Sequence, residues 1–194
     1  MRLALETYRV GVESRFAVRL AERVLARELP TRWAHVRGVA ARATQLRGGS
    51  LPDAVVAAAW LHDVGYASEV AVTGMHALDG AIWLRDREVN PLVVSLVAFH
   101  TGAEFEAAER NLSEALEAFD RPPQLLLDDL IFADLTVSPT GRLVSVDTRL
   151  SEIKQRYGEA DPVHRAVTRS SAYLHDCCFR ASARSAEEGD VAVV

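Results

Sequence analysis

The segment Ala54-Val55-Val56-Ala57-Ala58-Ala59-Trp60-Leu61-His62-Asp63-Val64-Gly65 decides the fold. Its first eight residues are apolar without a break, too continuous for a surface helix and too short for a membrane span, so they read as a helix buried on all sides. Ser50 and Asp53 form a capping-box-like pair ahead of it, with Pro52 in the first turn. Gly65 is expected to permit a left-handed stop behind it. Two ligand-type side chains, His62 and Asp63, then emerge together at the end of a buried rod.

The same design recurs on both sides. Upstream, Thr31 can cap a helix that runs to Gly48 and Gly49, and on it His35, Val39, Ala43 and Leu46 share one face. Before that, residues 3–28 carry Val10, Phe16, Leu20 and Val24 at helical spacing and stop at Pro30, which predicts an amphipathic helix. Downstream, the stretch from Met75 to Arg87 places His76 with Gly80, Trp83 and Leu84. Asp79, one turn on, is either an acceptor that orients an imidazole or an exposed helix charge. Asn90-Pro91 opens an apolar helix, Leu92 to Phe99, that ends in His100-Thr101-Gly102. Residues 104–117, with five glutamates, read as a solvated helix or lid. Pro122-Pro123 introduces a stripe of Leu127, Leu130 and Ile131 leading to Asp134; Asp128 and Asp129 compete with it, but Asp134 alone continues the stripe. Asp147–Tyr157 and Asp161–Arg180 are expected helices, residues 186–194 a frayed tail, and Leu143–Val146 the one short extended stretch. The fold class expected is all-α, one helical domain over residues 1–185 with its core at about 31–136.

Composition narrows the partners. The 194 residues are 49% hydrophobic and 25% charged, ordinary globular usage, with a formal net charge of −5. Without a basic stripe there is little to release counterions from long nucleic acid, so a small molecule is the expected partner. Lys154 is the only lysine. The N-terminus mixes charges with apolar residues and no apolar run reaches membrane-spanning length, so a cytoplasmic location is expected. Cys177 and Cys178 are adjacent and fit no zinc-finger spacing; they are expected to pack. The first helix and Trp33 could form a homodimer face, although the same pattern serves an internal core.

The histidines and aspartates on these apolar stripes need compensation. A bare carboxylate among Val, Leu and Ala costs several kcal/mol unless it is paired or metal-bound, and no cationic partner is evident on the stripes. A divalent cation would compensate imidazoles and carboxylates together. A second His-Asp pair, His175-Asp176, lacks companions at matching distances.

His35, then His62-Asp63 after 26 intervening residues, then Asp134 resemble the H…HD…D signature of the HD-domain metalloprotein superfamily over residues 31 to about 136. With His76 and His100 added, the set resembles the six-ligand, two-metal version found in diadenosine tetraphosphate hydrolases, HD-GYP cyclic-dinucleotide phosphodiesterases and HD-type di-iron oxygenases. The resemblance implies an HD-type helical bundle with one or two divalent transition metal ions (Fe, Mn, Zn, Ni or Co) in its core. It implies His35, His62, Asp63 and Asp134 on one ion and His76 and His100 on a second, with Asp63 bridging and catalytic.

The implied activity is metal-dependent hydrolysis of a small phosphorylated metabolite or nucleotide. Phosphohydrolases of the superfamily commonly carry a lysine three residues after the Asp of the HD pair, where this chain has Tyr66, and no GYP motif follows His100. Tyr66, Arg32 and Arg142 are the candidate phosphate contacts. A di-iron oxygenase and a non-catalytic nucleotide-binding regulatory module are the alternatives. Specificity is expected from loops such as 66–73 and 102–119.

Overall fold

The computed structural model describes residues 11–187. They form ten α-helices: α1 (Val12–Leu25), α2 (Pro30–Gln45), α3 (Asp53–Leu61), α4 (His76–Arg85), α5 (Pro91–Phe99), α6 (Ala103–Arg110), α7 (Ser113–Glu117), α8 (Gln124–Leu135), α9 (Val146–Arg156) and α10 (Pro162–Glu187). There is no strand among the described residues. The stretch expected to be extended contributes only an isolated antiparallel bridge between Val137 and Leu143. Of the expected helix over 3–28, residues 3–10 lie outside the described residues, as do 188–194 of the expected tail; Ala186 and Glu187 close α10.

Helix α3 is the hub, packed against α1, α2, α5 and α8. Ala54, Ala57, Ala58 and Ala59 are all buried, and side chains this small let four neighbours approach one rod. A second layer is built on α10, which lies on α6, α8 and α9. Helices α8 and α10 are joined by charge as well as by packing. Arg180 donates to both oxygens of buried Asp128 at 2.7 and 2.8 Å, and Arg184 donates to buried Asp129 at 2.9 Å. Those two aspartates are therefore structural counter-ions. Trp33 is half-buried against Trp60, ring centroids 5.7 Å apart, and both cysteines are buried.

Two local expectations are corrected. Asp53 does not pair with Ser50, whose hydroxyl donates to the Arg47 carbonyl. Its carboxylate instead reaches across to the start of α1 and accepts the backbone N–H of Glu13 at 2.9 Å and the hydroxyl of Ser14. A residue near the start of α3 thus caps another helix, satisfying donors that α1 cannot satisfy itself. Gly11 makes this possible, because a Cβ there would fall 1.9 Å from Asp53 Oδ2.

Gly65 is likewise not a left-handed stop, since it is absent from the positive-φ residues. It lies in a 3-10 turn, Val64–Tyr66, where a Cβ would sit 1.9 Å from the carbonyl oxygen of His76. The glycine is required by close approach of two backbones. Gly65→Ala forces the start of α4 away from the HD turn, an overpacking cost of about 3 kcal/mol; thermal denaturation should show Tm lowered by roughly 6–12 °C. An unchanged Tm would mean that the two backbones separate freely.

Candidate metal centre

Each imidazole of the centre is delivered by a helix end or a helix face. His62 follows the last residue of α3, and His100 follows the last residue of α5. Each donates its Nδ1 proton to the carbonyl three residues back, His62 to Ala59 at 2.9 Å and His100 to Val97 at 2.6 Å. Helix C-termini leave such carbonyls without intrahelical partners, so terminating the helix and orienting the ring are one interaction. His35, in mid-helix on α2, donates from Nδ1 to the Ser138 carbonyl at 3.1 Å. A carbonyl oxygen only accepts, so all three rings carry hydrogen on Nδ1. In their neutral forms they turn an Nε2 lone pair inward.

Those three nitrogens have different surroundings. His35 Nε2 lies 2.9 Å from Asp134 Oδ1, His100 Nε2 lies 3.1 Å from His76 Nε2, and buried His62 Nε2 has no hydrogen-bond partner among the described residues. Without a cation, the His35–Asp134 contact requires an additional proton, whereas a neutral His76 can donate from its own Nε2 to His100. The donor atoms of His35, His62 and Asp134 lie within 4.8 Å of one another, and so do those of Asp63, His76 and His100. Asp63 stands between the sets: Oδ2 is 3.4 Å from His62 Nε2 and 3.9 Å from His35 Nε2, while Oδ1 is 3.6 Å from His76 Nε2. These buried groups could hold a metal, and a set of nitrogens and oxygens without thiolate suits a divalent transition ion.

The surroundings hold the set in place. Thr101 donates its hydroxyl to Asp134 Oδ2 from a left-handed backbone, φ 53°. That conformation is costly for a β-branched residue and is sustained only by its surroundings. Arg32, one turn ahead of His35 on α2, donates to Asp63 Oδ2 at 2.8 Å. Asp63 thus has the cationic partner that its apolar stripe did not reveal. The Arg32 guanidinium lies 4.0 Å over the Tyr66 ring, and Tyr66 stacks on His76 at 4.2 Å, a layered arrangement of cation, phenol and imidazole. Asp79 does not touch an imidazole. It accepts the backbone N–H groups of Val72, Thr73 and Gly74 at 2.9–3.2 Å, anchoring the loop that leads into His76.

The centre opens into a cavity of about 70 Å³, beside a groove of about 530 Å³; Arg32, His35 and Arg156 line both. Arg142 is exposed and lines neither. The cavity is also lined from α6, α10 and the α9 region, including Glu106, Arg149, Tyr157 and Ser170. Sequence reasoning did not single these out, and it placed specificity in loops. Glu106 belonged to the run read as solvated, yet it is buried and paired with Arg110 at 2.7 Å. Burial raises its carboxyl pKa above the ordinary value. The remaining histidines are elsewhere: His164 donates to the backbone at Lys154 and Tyr157, and His175 faces Asp147.

A helical bundle closed on a cluster of imidazoles and carboxylates is a scaffold that could hold a metal. The family model of the HD domain matches residues 32–134, from Arg32 to Asp134 and over more than half of the chain. The chain belongs to the HD-domain family, within the metal-dependent phosphohydrolase superfamily. Comparisons with curated proteins and with solved structures give no match.

The charges give the centre a pH signature. Burial, then neighbouring imidazoles, push His76 and His100 below their ordinary 6.5. Burial opposes charging of His62 as well, but Asp63 and Asp134 hold it above that value. Burial disfavours the charged form of Asp63, yet Arg32 and His62 keep its carboxyl well below the ordinary 3.8. The unfolded chain binds protons at His76 and His100 near pH 6.5 and the folded metal-free chain does so only at lower pH, so stability is lost as pH falls below 6.5. The His62 contribution is fully present below 6.5 and is lost as pH rises through its raised value. The Asp63 contribution is lost only below 3.8. Chelator-treated protein should therefore lose Tm on the acid side of pH 6.5, and His76→Asn should flatten that limb. A limb of the same slope in the variant would assign it to other groups.

Proposed function

We propose that this chain is a metal-dependent phosphohydrolase acting on a small phosphorylated metabolite or nucleotide. The observation that carries the reading is one small cavity lined by five His and Asp donors, with the sixth, His62, buried beside them, next to the layered Arg32 and Tyr66. A bound divalent ion there would supply an activated water and neutralise charge on a phosphoryl group. His35, His62, Asp63, His76, His100 and Asp134 are the residues that would hold one or two such ions.

The chain's own groups do the positioning. Arg32 is fixed by Asp63 on one side and by the Tyr66 ring beneath it, so its remaining donors are available to phosphoryl oxygens at little entropic cost. Tyr66 stands where related hydrolases carry lysine, and Arg32 supplies the charge that the tyrosine lacks. A cavity of about 70 Å³ has room for about two waters at ~30 Å³ each, or for a phosphoryl group in their place. The rest of a substrate would occupy the adjoining groove, whose entrance Arg156 shares.

Elemental analysis of protein purified without chelator should find close to two equivalents of transition metal per chain, largely lost in Asp63→Ala. The same preparation should release phosphate from members of a panel of small phosphate esters and nucleotides, equally in air and under anaerobic conditions. Turnover that requires oxygen would replace this reading with a di-iron oxygenase. Tight nucleotide binding with no product would make the chain a binding module, and absence of metal that persists after metal is supplied would remove the enzymatic reading.

A further inference from the structure

Arg149 is an arginine whose burial the fold does not explain. It lies on α9, outside the residues matched to the HD domain, and is 5% exposed. Among the described residues only its Nη1 finds an acceptor, Glu152; its Nε is buried with no partner. A guanidinium with most of its donors unused inside a protein is strongly disfavoured unless something else accepts from it. It lines the cavity of the metal centre, and its charge helps hold the Asp134 carboxyl below the ordinary range against the opposing effect of burial.

Arg156 lies on the same face two turns later and lines both the cavity and the outer groove. Glu152, between them, accepts from Arg149 on one oxygen and from Arg156 Nε and Nη2 on the other. One carboxylate therefore tethers two guanidiniums and leaves the trio with net positive charge. The end of α9 is fixed in turn, because His164 of α10 donates to the carbonyls of Lys154 and Tyr157 at 3.0 Å. Ser170 of α10, also buried, lines the cavity as well.

We propose that Arg149 and Arg156, tethered by Glu152, form an oxyanion subsite on α9 that grips phosphoryl oxygens in the cavity shared with the HD residues. A forked guanidinium with free N–H groups matches a tetrahedral oxyanion, and a helix-borne pair held by a shared carboxylate is preorganised for it. The proposal rests on the hydrolase reading only for the identity of the anion as part of a substrate. The subsite itself is independent of turnover.

The test is calorimetric titration of the as-purified protein with inorganic phosphate, alongside metal analysis of every variant. Arg149→Gln should weaken phosphate binding at least about tenfold and Arg156→Gln several-fold, with Arg149→Lys in between and with metal content equal to wild type throughout. Phosphate affinity unchanged in Arg149→Gln would overturn the proposal. Joint loss of phosphate and metal in that variant would also overturn it, reducing Arg149 to a counter-ion of Asp134. If Arg149→Gln does not fold, Arg156→Gln decides at the half-exposed position: weakened binding with metal retained supports the subsite, and wild-type binding overturns it. Loss of hydrolysis across the ester panel with phosphate binding retained would count against the hydrolase reading and leave the subsite standing.

Discussion

The interaction on which the rest depends is the bond from an imidazole Nδ1 back to a main-chain carbonyl. His62 and His100 each make it to the carbonyl three residues earlier, at the end of an apolar helix. The carbonyl gains a partner that the helix cannot provide, and the ring gains a fixed tautomer and direction. Rotating either ring would therefore expose an unsatisfied helix end. His35 reaches the same state from mid-helix by using the Ser138 carbonyl, which makes the 138–142 turn part of the centre although none of its side chains enters it. That turn is closed by backbone bonds between Ser138 and Arg142 and between Gly141 and Ser138.

Around these rings the bundle neutralises charge pair by pair. Asp63 has Arg32 at 2.8 Å, while across the second layer Asp128 and Asp129 face Arg180 and Arg184. The last group is worth comparing with the first. Asp128 and Asp134 are both buried on α8, but Asp128 receives two bonds from one guanidinium, a closed fork that leaves little for another ligand. Asp134 faces lone pairs, and the Thr101 hydroxyl is its one conventional donor. Two carboxylates six residues apart in one helix are thus separated into a structural and a chemical role by what surrounds them.

The residues of the centre were legible because each interrupts a pattern: a charged or imidazole side chain on an otherwise apolar stripe, often just before a glycine. What was not legible depends on residues far apart in the chain. Asp53 carries a capping signal, but the helix it caps begins 41 residues earlier, at Val12. Gly65 reads as a turn residue, and only the approach of the His76 carbonyl shows what a side chain there would meet. Asp79 reads as a neighbour of His76, yet it folds a loop preceding that histidine. Arg32 could be placed beside His35 by helix periodicity, whereas its bond to Asp63 required the packing of α2 on α3. Arg149 gave no local signal, since an arginine between Thr148 and Leu150 on an amphipathic helix is ordinarily solvated.

That failure follows the division of the molecule. The donors belong to α2–α5 and α8 and to the turns between them, all within the stretch matched to the HD domain. Their positions are fixed by helix ends and by backbone contacts that tolerate no added side chain. Much of the remaining lining comes from α10 and the α9 region, where Arg149, Arg156, Tyr157 and Ser170 lie. These can be exchanged without moving a helix. Under the function proposed above, the chemistry is tied to the architecture and the choice of substrate is not. A pattern shared by a family therefore specifies the donors and leaves the side chains of α9 and α10 free to differ.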